Sequence, residues 1–182
     1  MRLVLFRWIG ILLAVIWTVA VLNLITGYAL NTWFGLQPRI LGGLDGIVLM
    51  PFLHGSLTHA AANTVPLAVL GGLLAATAGP VALTSSALIV LLSGVAVWLF
   101  GGAGVHVGAS GLIFGWFGFL VARGAVEKRP GPMLVSVAVA LVYGTMIFGV
   151  LPGQPGVSWE SHLFGALAGA VAAFVLRSDP AP

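Results

Sequence analysis

The sequence predicts an all-α membrane protein, a bundle of six transmembrane helices with a long, partly membrane-embedded first loop. Of its 182 residues, 60% are hydrophobic and 6% are charged, and the mean hydropathy is +1.15. Soluble domains carry about 25% charged residues, so a soluble fold is excluded. A hydrocarbon core about 30 Å thick requires about 20 residues per helical span, and a chain of this length accommodates about six spans. We expect one domain covering residues 1–182.

Apolar runs separated by glycine and proline locate the six predicted spans. They cover residues 4–27, 59–79, 81–100, 109–123, 132–151 and 160–177. The first span begins with basic residues, as a signal peptide does, but its apolar run is too long and lacks a clear small-residue cleavage site, which indicates a retained span. The first connection, residues 28–58, contains a second apolar stretch from Ile47 to Leu53. This stretch is too short to span, so we expect it to lie in the interface or to re-enter the membrane.

The charged residues predict the orientation of the bundle. With six spans and a cytoplasmic N-terminus, six of the seven basic residues fall on the cytoplasmic side, in agreement with the positive-inside rule. These six are Arg2, Arg7, Arg123, Lys128, Arg129 and Arg177, and Arg39 falls outside. The C-terminus is then cytoplasmic too, and all four histidines lie near the outer face. Because the basic residues form no stripe and cysteine is absent, neither a nucleic-acid partner nor a thiolate metal site is expected.

A serine and a histidine each open one of the predicted spans. Ser110 begins the fourth span between Gly108 and Gly111, and His162 begins the sixth. Serine becomes a strong nucleophile when a base removes its proton, and histidine is the usual base. The free N–H groups and the positive dipole at a helix N-terminus also suit a developing oxyanion. Taken singly, Ser110 is better explained as a small packing residue and His162 as a helix cap.

The depth of the two residues in the membrane links them. At about 1.5 Å per residue, Ser110 lies about 20 Å above Arg123, and His162 lies about 22 Å above Arg177. In a hydrocarbon core about 30 Å thick, both side chains lie about 10 Å below the outer surface. The fourth span is short and follows a glycine-rich stretch, which predicts that its outer end lies in a water-filled pocket. An ionisable group at such a depth indicates a functional site.

Two further groups of residues support a shared site. Glycines at helical spacing allow close approach of the two spans. They are Gly111, Gly115 and Gly118 in the fourth span and Gly165 and Gly169 in the sixth. At the start of the second span, His59 and Asn63 share one helix face, from which they can donate hydrogen bonds to the oxyanion formed by serine attack. A structural role in fixing the first loop is the alternative, and it is strongest for His54.

Metal binding and a complete catalytic triad are weaker interpretations of the same residues. His54 and His59 are five residues apart without the glutamate of the H-E-x-x-H motif, which leaves zinc as a minor alternative. The chain has four carboxylates, and Glu160 lies two residues from His162, on the opposite side of the helix. The other three, Asp45, Glu127 and Asp179, fall in a loop or in the cytoplasm. A Ser-His dyad without metal or cofactor remains.

These motifs resemble those of the rhomboid intramembrane serine proteases, across the second, fourth and sixth spans. The matching residues are His54, His59 and Asn63, then Gly108-Ala109-Ser110-Gly111 as the G-x-S-G motif, then Ser161-His162-Leu163-Phe164-Gly165 with Gly169. The resemblance implies a six-helix rhomboid-like core of bacterial type in the inner (plasma) membrane, with an active site that opens toward the outside. It also implies Ser110 as nucleophile and His162 as general base and then acid. The implied oxyanion hole consists of His59, Asn63 and the Ser110 N–H.

The resemblance extends to the substrate and to the moving parts. Phe114 occupies the family's aromatic position that packs on the catalytic histidine. Substrates of such a serine endopeptidase would be single-span membrane proteins, cut where their helix unwinds near the outer face. The fifth span and the loop from Pro152 to Trp159 would form the gate and cap. One departure is that Asp45-Gly46 stands where many rhomboids carry a Trp-Arg pair, so anchoring of the first loop in the lipid bilayer is expected to differ.

Two other functions stay open from the sequence. A non-catalytic rhomboid-like protein that binds transmembrane helices would not need Ser110 and His162 intact. A proton-coupled transporter that uses its histidines as a relay would favour repeated half-structures and polar residues near the midplane, and the sequence has neither. The sequence indicates no particular oligomeric state.

Overall fold

The computed structural model describes residues 2–177, with side chains from residue 6 onward, and these residues form helices and loops. The α-helices are α1 (Arg2–Ile25), α2 (Ala29–Phe34), α3 (Gly46–Leu49), α4 (Leu57–Ala78), α5 (Ala82–Phe100), α6 (Ser110–Glu127), α7 (Pro130–Tyr143) and α8 (Trp159–Val175). Short 3₁₀ helices cover Leu41–Gly43, Met50–Phe52, Gly79–Val81 and Gly144–Val150. The long helices α1 and α4 to α8 correspond to the six predicted spans. Asp179, predicted to be cytoplasmic, lies outside the described residues.

Two helix ends differ from the sequence prediction by four residues or more. α6 extends to Glu127, because Arg123 is buried and its guanidinium donates to the Glu127 carboxylate one turn later. Arg123 therefore does not mark the end of this helix. With 18 residues, α6 is about 27 Å long, which is three residues more than predicted and still slightly less than a hydrocarbon core of about 30 Å. α7, in contrast, ends earlier than predicted: its α-helical part ends at Tyr143, and a 3₁₀ helix continues to Val150.

The hydropathy of the helices is that of an integral membrane protein. Within the described residues, three segments are long and apolar enough to cross a membrane: Phe6–Ile25, Leu57–Phe100 and Pro130–Val150. Leu57–Phe100 has 44 residues and contains both α4 and α5, which reverse direction at Gly79, where φ is 50°. Large apolar side chains face outward, for example Leu134 at 72% exposure and Leu141 at 80%. Apolar surface on this scale indicates contact with lipid.

α6 is the central helix, and Ser110 is its first residue. It packs against α4, α5, α7 and α8, and its Trp116, Phe119 and Leu120 are almost fully buried. The indole N–H of Trp116 donates to Ser86 on α5 at 2.9 Å, which satisfies the polar atom of this side chain. A helix held by four neighbours fixes the position of its first residue.

α6 and α8 meet along a seam of glycines, as the spacing of these residues predicts. A side chain on Gly165 would overlap the carbonyl oxygen of Gly111, and one on Gly169 would overlap that of Gly115. Closer to the start of both helices, a Cβ on Gly111 would lie 3.3 Å from the carbonyl oxygen of Ser161. The two backbones are therefore in contact, and the residue after the predicted nucleophile lies against the residue before the predicted base.

The first loop is fixed to the helices by polar contacts. The Arg39 guanidinium donates to two carbonyl oxygens at the C-terminal end of α5, at 3.2 and 2.9 Å. The Asp45 side chain accepts from the N–H of Gly46 at the start of α3 (2.9 Å), and a side chain on Gly46 would overlap the backbone of Leu36. The Asp45-Gly46 pair thus caps a short helix and allows close backbone approach inside the protein.

Candidate active site

A cavity of about 750 Å³ contains the residues that the sequence motifs predict for an active site. The first turns of α4, α6 and α8 border it, together with the loops before α6 and before α8. Ser110, His162, His59 and Asn63 all line it. Three helices that lie far apart in the sequence therefore contribute residues to one cavity.

The position of Ser110 is set by the turn that precedes α6. Gly108 has a φ of 123°, which a residue with a side chain rarely adopts, and its N–H donates to the carbonyl oxygen of Met50 at 2.9 Å. A Cβ on Gly108 would lie 2.8 Å from the His59 ring and 3.7 Å from Ser110 Oγ. Glycine therefore leaves room for both side chains. The first N–H groups of α6, including that of Ser110, have no partner within the helix.

Two contacts hold the His162 imidazole. Its ring stacks on Phe114, with centroids 4.1 Å apart and planes at 6°, and its Nδ1 lies 2.8 Å from the carbonyl oxygen of Gly149. Because a carbonyl oxygen only accepts, Nδ1 carries the proton, and Nε2 of the neutral ring keeps a free lone pair. Within residues 2–177 no hydrogen bond joins His162 to Ser110, although both line the cavity. Catalytic hydrogen bonds of this kind are often long until substrate is bound.

Asn63 connects the cavity to a buried histidine. Its Nδ2 lies 3.0 Å from Nε2 of His54, and the His59 ring packs edge-on against the His54 ring, with centroids 4.9 Å apart. His54 lies in the loop before α4 and is 1% exposed. Its pKa is lowered to about 4 by burial and, less strongly, by His59, against a backbone hydrogen bond with Phe52 that raises it. Neutral His54 thus accepts from Asn63, whose second amide hydrogen stays available to the cavity.

His106 joins the loop before α6 to the start of α8. Its Nε2 donates to the carbonyl oxygen of Gly102 at 3.0 Å, so Nδ1 accepts from the Ser158 hydroxyl at 2.6 Å. Ser158 Oγ is in turn 2.7 Å from Ser161 Oγ. These bonds close the rim of the cavity beside the predicted base. The sequence predicts only that His106 lies near the outer face, because no local motif relates it to a serine 52 residues later.

Glu160 also belongs to the rim. It lines the same cavity as His162, and its carboxylate accepts from the N–H of Gly102 at 2.9 Å. Although the two residues lie on different sides of α8, the first turn of this helix borders the cavity with more than one face. In the described part of the chain, His162 is bonded to a carbonyl oxygen and to no carboxylate. The same residues contain no group of three His, Asp or Glu side chains arranged to hold a metal ion.

The fold and the cavity first define a class: an all-helical integral membrane protein with a serine, histidines and an amide around one cavity. A model of the Rhomboid domain matches residues 41–179. Uncharacterized proteins of Mycobacterium bovis and Mycobacterium tuberculosis are each 38% identical over 174 residues, which is 91% of this chain and 72% of the relative. An uncharacterized protein of Mycobacterium leprae is 36% identical over 175 residues, 91% of this chain and 69% of the relative. This chain therefore belongs to the rhomboid family, whose members are in general intramembrane serine proteases, although non-catalytic members exist.

Proposed function

We propose that this protein is an intramembrane serine endopeptidase that cleaves single-span membrane proteins, with Ser110 as nucleophile and His162 as general base. The observation that carries the proposal is the hydrogen bond between His162 Nδ1 and a backbone carbonyl oxygen, which assigns the proton of the neutral ring to Nδ1. This bond is 2.8 Å long, and the unprotonated Nε2 is left for the cavity that Ser110 also lines. A correctly protonated base beside a serine at a helix N-terminus meets the basic requirement of nucleophilic catalysis.

In the proposed reaction, Ser110 Oγ attacks the scissile carbonyl carbon while His162 Nε2 takes the hydroxyl proton. The carbonyl oxygen becomes an oxyanion, which is stabilised by the Ser110 N–H, by Asn63 Nδ2 and by a ring N–H of His59. The imidazolium gives its proton to the leaving amine, and the tetrahedral intermediate collapses to an acyl-enzyme. Water, deprotonated by the same nitrogen, then hydrolyses the ester and restores the serine hydroxyl.

The supporting residues hold the reacting groups in position in this scheme. Gly108 leaves space beside the serine hydroxyl, and Phe114 holds the plane of the imidazole. His54 orients the amide of Asn63 by accepting one of its hydrogens. The glycine seam, Gly111 and Gly115 against Gly165 and Gly169, keeps the two helices that carry the reacting groups in contact. Preorganised groups of this kind need no rearrangement when charge develops in the transition state.

We propose that α1 and α4 to α8 cross the plasma membrane, with both termini in the cytoplasm and the cavity open to the outside. Lys128 and Arg129 lie just beyond the end of α6, away from the cavity, which supports a cytoplasmic location for that end. Across Pro130–Tyr143, Val139 alone is buried. This low burial supports α7 and the loop after it as the gate and cap that admit a substrate helix from the bilayer.

The proposal predicts that purified protein cleaves a single-span test substrate and that Ser110→Ala and His162→Ala do not. Both variants remove a group that acts in the chemical step, so kcat should fall by about 10⁴-fold or more. Ser93→Ala is the matched control, because Ser93 is buried in α5, donates to a carbonyl oxygen of its own helix and lies outside the cavity lining. It should cleave at the wild-type rate.

A fluorophosphonate probe gives a second measurement of the same proposal. It should label the wild-type protein at Ser110 and leave Ser110→Ala unlabelled, and labelling at another residue contradicts the assignment. Equal cleavage by the wild type and the two variants would falsify the dyad. A wild-type protein that binds the substrate helix without cleaving it or reacting with the probe would instead be a non-catalytic rhomboid-like protein.

A further inference from the structure

We infer that the backbone carbonyl of Gly149 is the positioning group of the catalytic histidine, in the place that a carboxylate occupies in a catalytic triad. The inference rests on the proposed function and deepens it, because it concerns the same base. A neutral imidazole carries its proton on either ring nitrogen, and only the form with a free Nε2 serves Ser110. A group that accepts from Nδ1 selects that form.

The geometry restrains the imidazole in two directions. The hydrogen bond from His162 Nδ1 to the Gly149 carbonyl oxygen, 2.8 Å long, opposes rotation of the ring within its plane. Stacking on Phe114, with planes 6° from parallel and centroids 4.1 Å apart, holds the plane itself. Together the two contacts occupy one edge and one face of the ring and leave the Nε2 edge for the cavity.

The identity of residue 149 follows from this contact. A Cβ on Gly149 would lie 2.8 Å from Cζ of Phe114 and 3.3 Å from Nδ1 of His162, so a side chain would push the backbone away from the ring. Gly144 begins the same 3₁₀ segment, Gly144–Val150, and a Cβ there would meet no atom within 4 Å. The two glycines of this segment therefore differ in their tolerance of a side chain. Gly149 must lack one because it touches the rings of Phe114 and His162, whereas Gly144 has free space.

A neutral acceptor suits this environment. A carboxylate beside His162 would be an ion in a partly buried membrane site, where an ionised group is costly unless it is paired. A backbone carbonyl accepts the same hydrogen bond with no charge to desolvate. Gly149 belongs to the segment that continues α7. The acceptor therefore comes from the segment after α7, and the base and the nucleophile come from α8 and α6.

The first test needs no substitution at residue 149. The ¹⁵N NMR spectrum of histidine-labelled wild-type protein distinguishes protonated from unprotonated ring nitrogens, and the signals absent from His162→Asn belong to His162. At a pH where this ring is neutral, we expect a protonated Nδ1 and an unprotonated Nε2. A His162 that carries its proton on Nε2, or that populates both forms equally, overturns the inference.

The second test compares Gly149→Ala with Gly144→Ala as the matched control. For Gly149→Ala we expect kcat to fall by about 10-fold or more with little change in KM, since the wrong tautomer costs about 10⁴-fold in a soluble serine protease. Its His162 signals should show a mixture of tautomers, and fluorophosphonate should label Ser110 more slowly. Gly144→Ala should match the wild type in all three measurements. Equal behaviour of the two variants overturns the inference.

The inference and the proposed function fail in different ways. If the wild type neither cleaves substrate nor reacts with fluorophosphonate while His162 shows the expected tautomer, the proposed function fails and the role of the carbonyl in holding the ring stands. If the wild type cleaves and is labelled at Ser110 but the tautomer is the opposite one, only the role of Gly149 fails. If Gly149→Ala does not fold, the ¹⁵N spectrum of the wild-type protein alone tests the role of Gly149.

Discussion

Two helices pack against α6 beside the candidate site, and they do so in opposite ways. α8 contacts α6 backbone to backbone, because the facing glycines leave no side chains between the helices. α7 is largely exposed, since Val139 is the one buried side chain of Pro130–Tyr143. Its close contact with α6 is at Ser136, which lies against Gly124 and donates to the carbonyl oxygen of Val121 at 2.7 Å. The contact of α6 with α8 is thus the rigid side of the site, because it sets the spacing of Ser110 and His162. The largely exposed α7, whose continuation supplies the Gly149 carbonyl, is the loose side, and it does not itself line the cavity.

The difference suits the two demands of the proposed reaction. A nucleophile and its base must stay close to their productive geometry, because small displacements cost large factors in rate. A substrate helix must also enter a closed site from the side, which requires one wall that moves. If every helix packed on α6 through glycines, the reacting groups would be well positioned, but no substrate helix could enter the site. One largely exposed helix beside the site resolves this conflict, and the following substitutions test the rigid side, α4 and the loose side in turn.

The largest expected effect is on the rigid side. In Gly169→Ala the new Cβ would overlap the carbonyl oxygen of Gly115, which is backbone and cannot rotate away. Overpacking costs about 1–3 kcal/mol and occasionally more, and we expect at least about 3 kcal/mol of lost unfolding free energy here. Gly72→Ala in α4 is the control, since its Cβ would meet only the Phe6 ring among the described residues, at 4.0 Å. Thermal unfolding in detergent compares the two, and equal unfolding temperatures would show that the seam is not tight.

The second effect concerns the wall that α4 supplies. Asn63→Ala removes one proposed oxyanion donor, so kcat should fall by about 10²–10³-fold, which is less than the loss in Ser110→Ala. Thr64→Ala is the control on the next residue, because it removes a hydrogen bond from Trp17 (3.2 Å) and leaves the cavity lining unchanged. It should cost about 1 kcal/mol of stability and little activity. Steady-state kinetics decide, and equal losses in both variants would mean that Asn63 acts through stability.

The smallest expected effect is on the loose side. Leu141→Ala changes a side chain that is 80% exposed, so the unfolding free energy should change by less than about 0.5 kcal/mol. Val139→Ala removes buried methyl groups from the contact with the bundle and should cost about 1 kcal/mol. Denaturant titration in detergent measures both. A cost for Leu141→Ala as large as that for Val139→Ala would mean that the outer face of α7 is packed, and α7 would then not be the loose side of the site.

The helices and most of the cavity lining were predictable from the sequence. In lipid each apolar run must satisfy its own backbone hydrogen bonds, so hydropathy locates helices closely. Polar residues at the starts of apolar spans are equally conspicuous, which is why Ser110, His162, His59 and Asn63 stand out. The end of α6 was harder, because a charged residue predicts an interface unless its partner is known. Arg123 is buried beside Glu127, and only the packing of α6 reveals this.

By itself, the sequence determined which residue types are available for chemistry and which helices can touch through glycine. Only the tertiary structure decided how the base is held. Gly149 carries no side chain, and every residue offers a carbonyl group, so no sequence pattern marks the one that accepts from His162. The bonds of His106 to Gly102 and Ser158 are equally invisible in the sequence. Such contacts depend on where the loops of the folded chain meet.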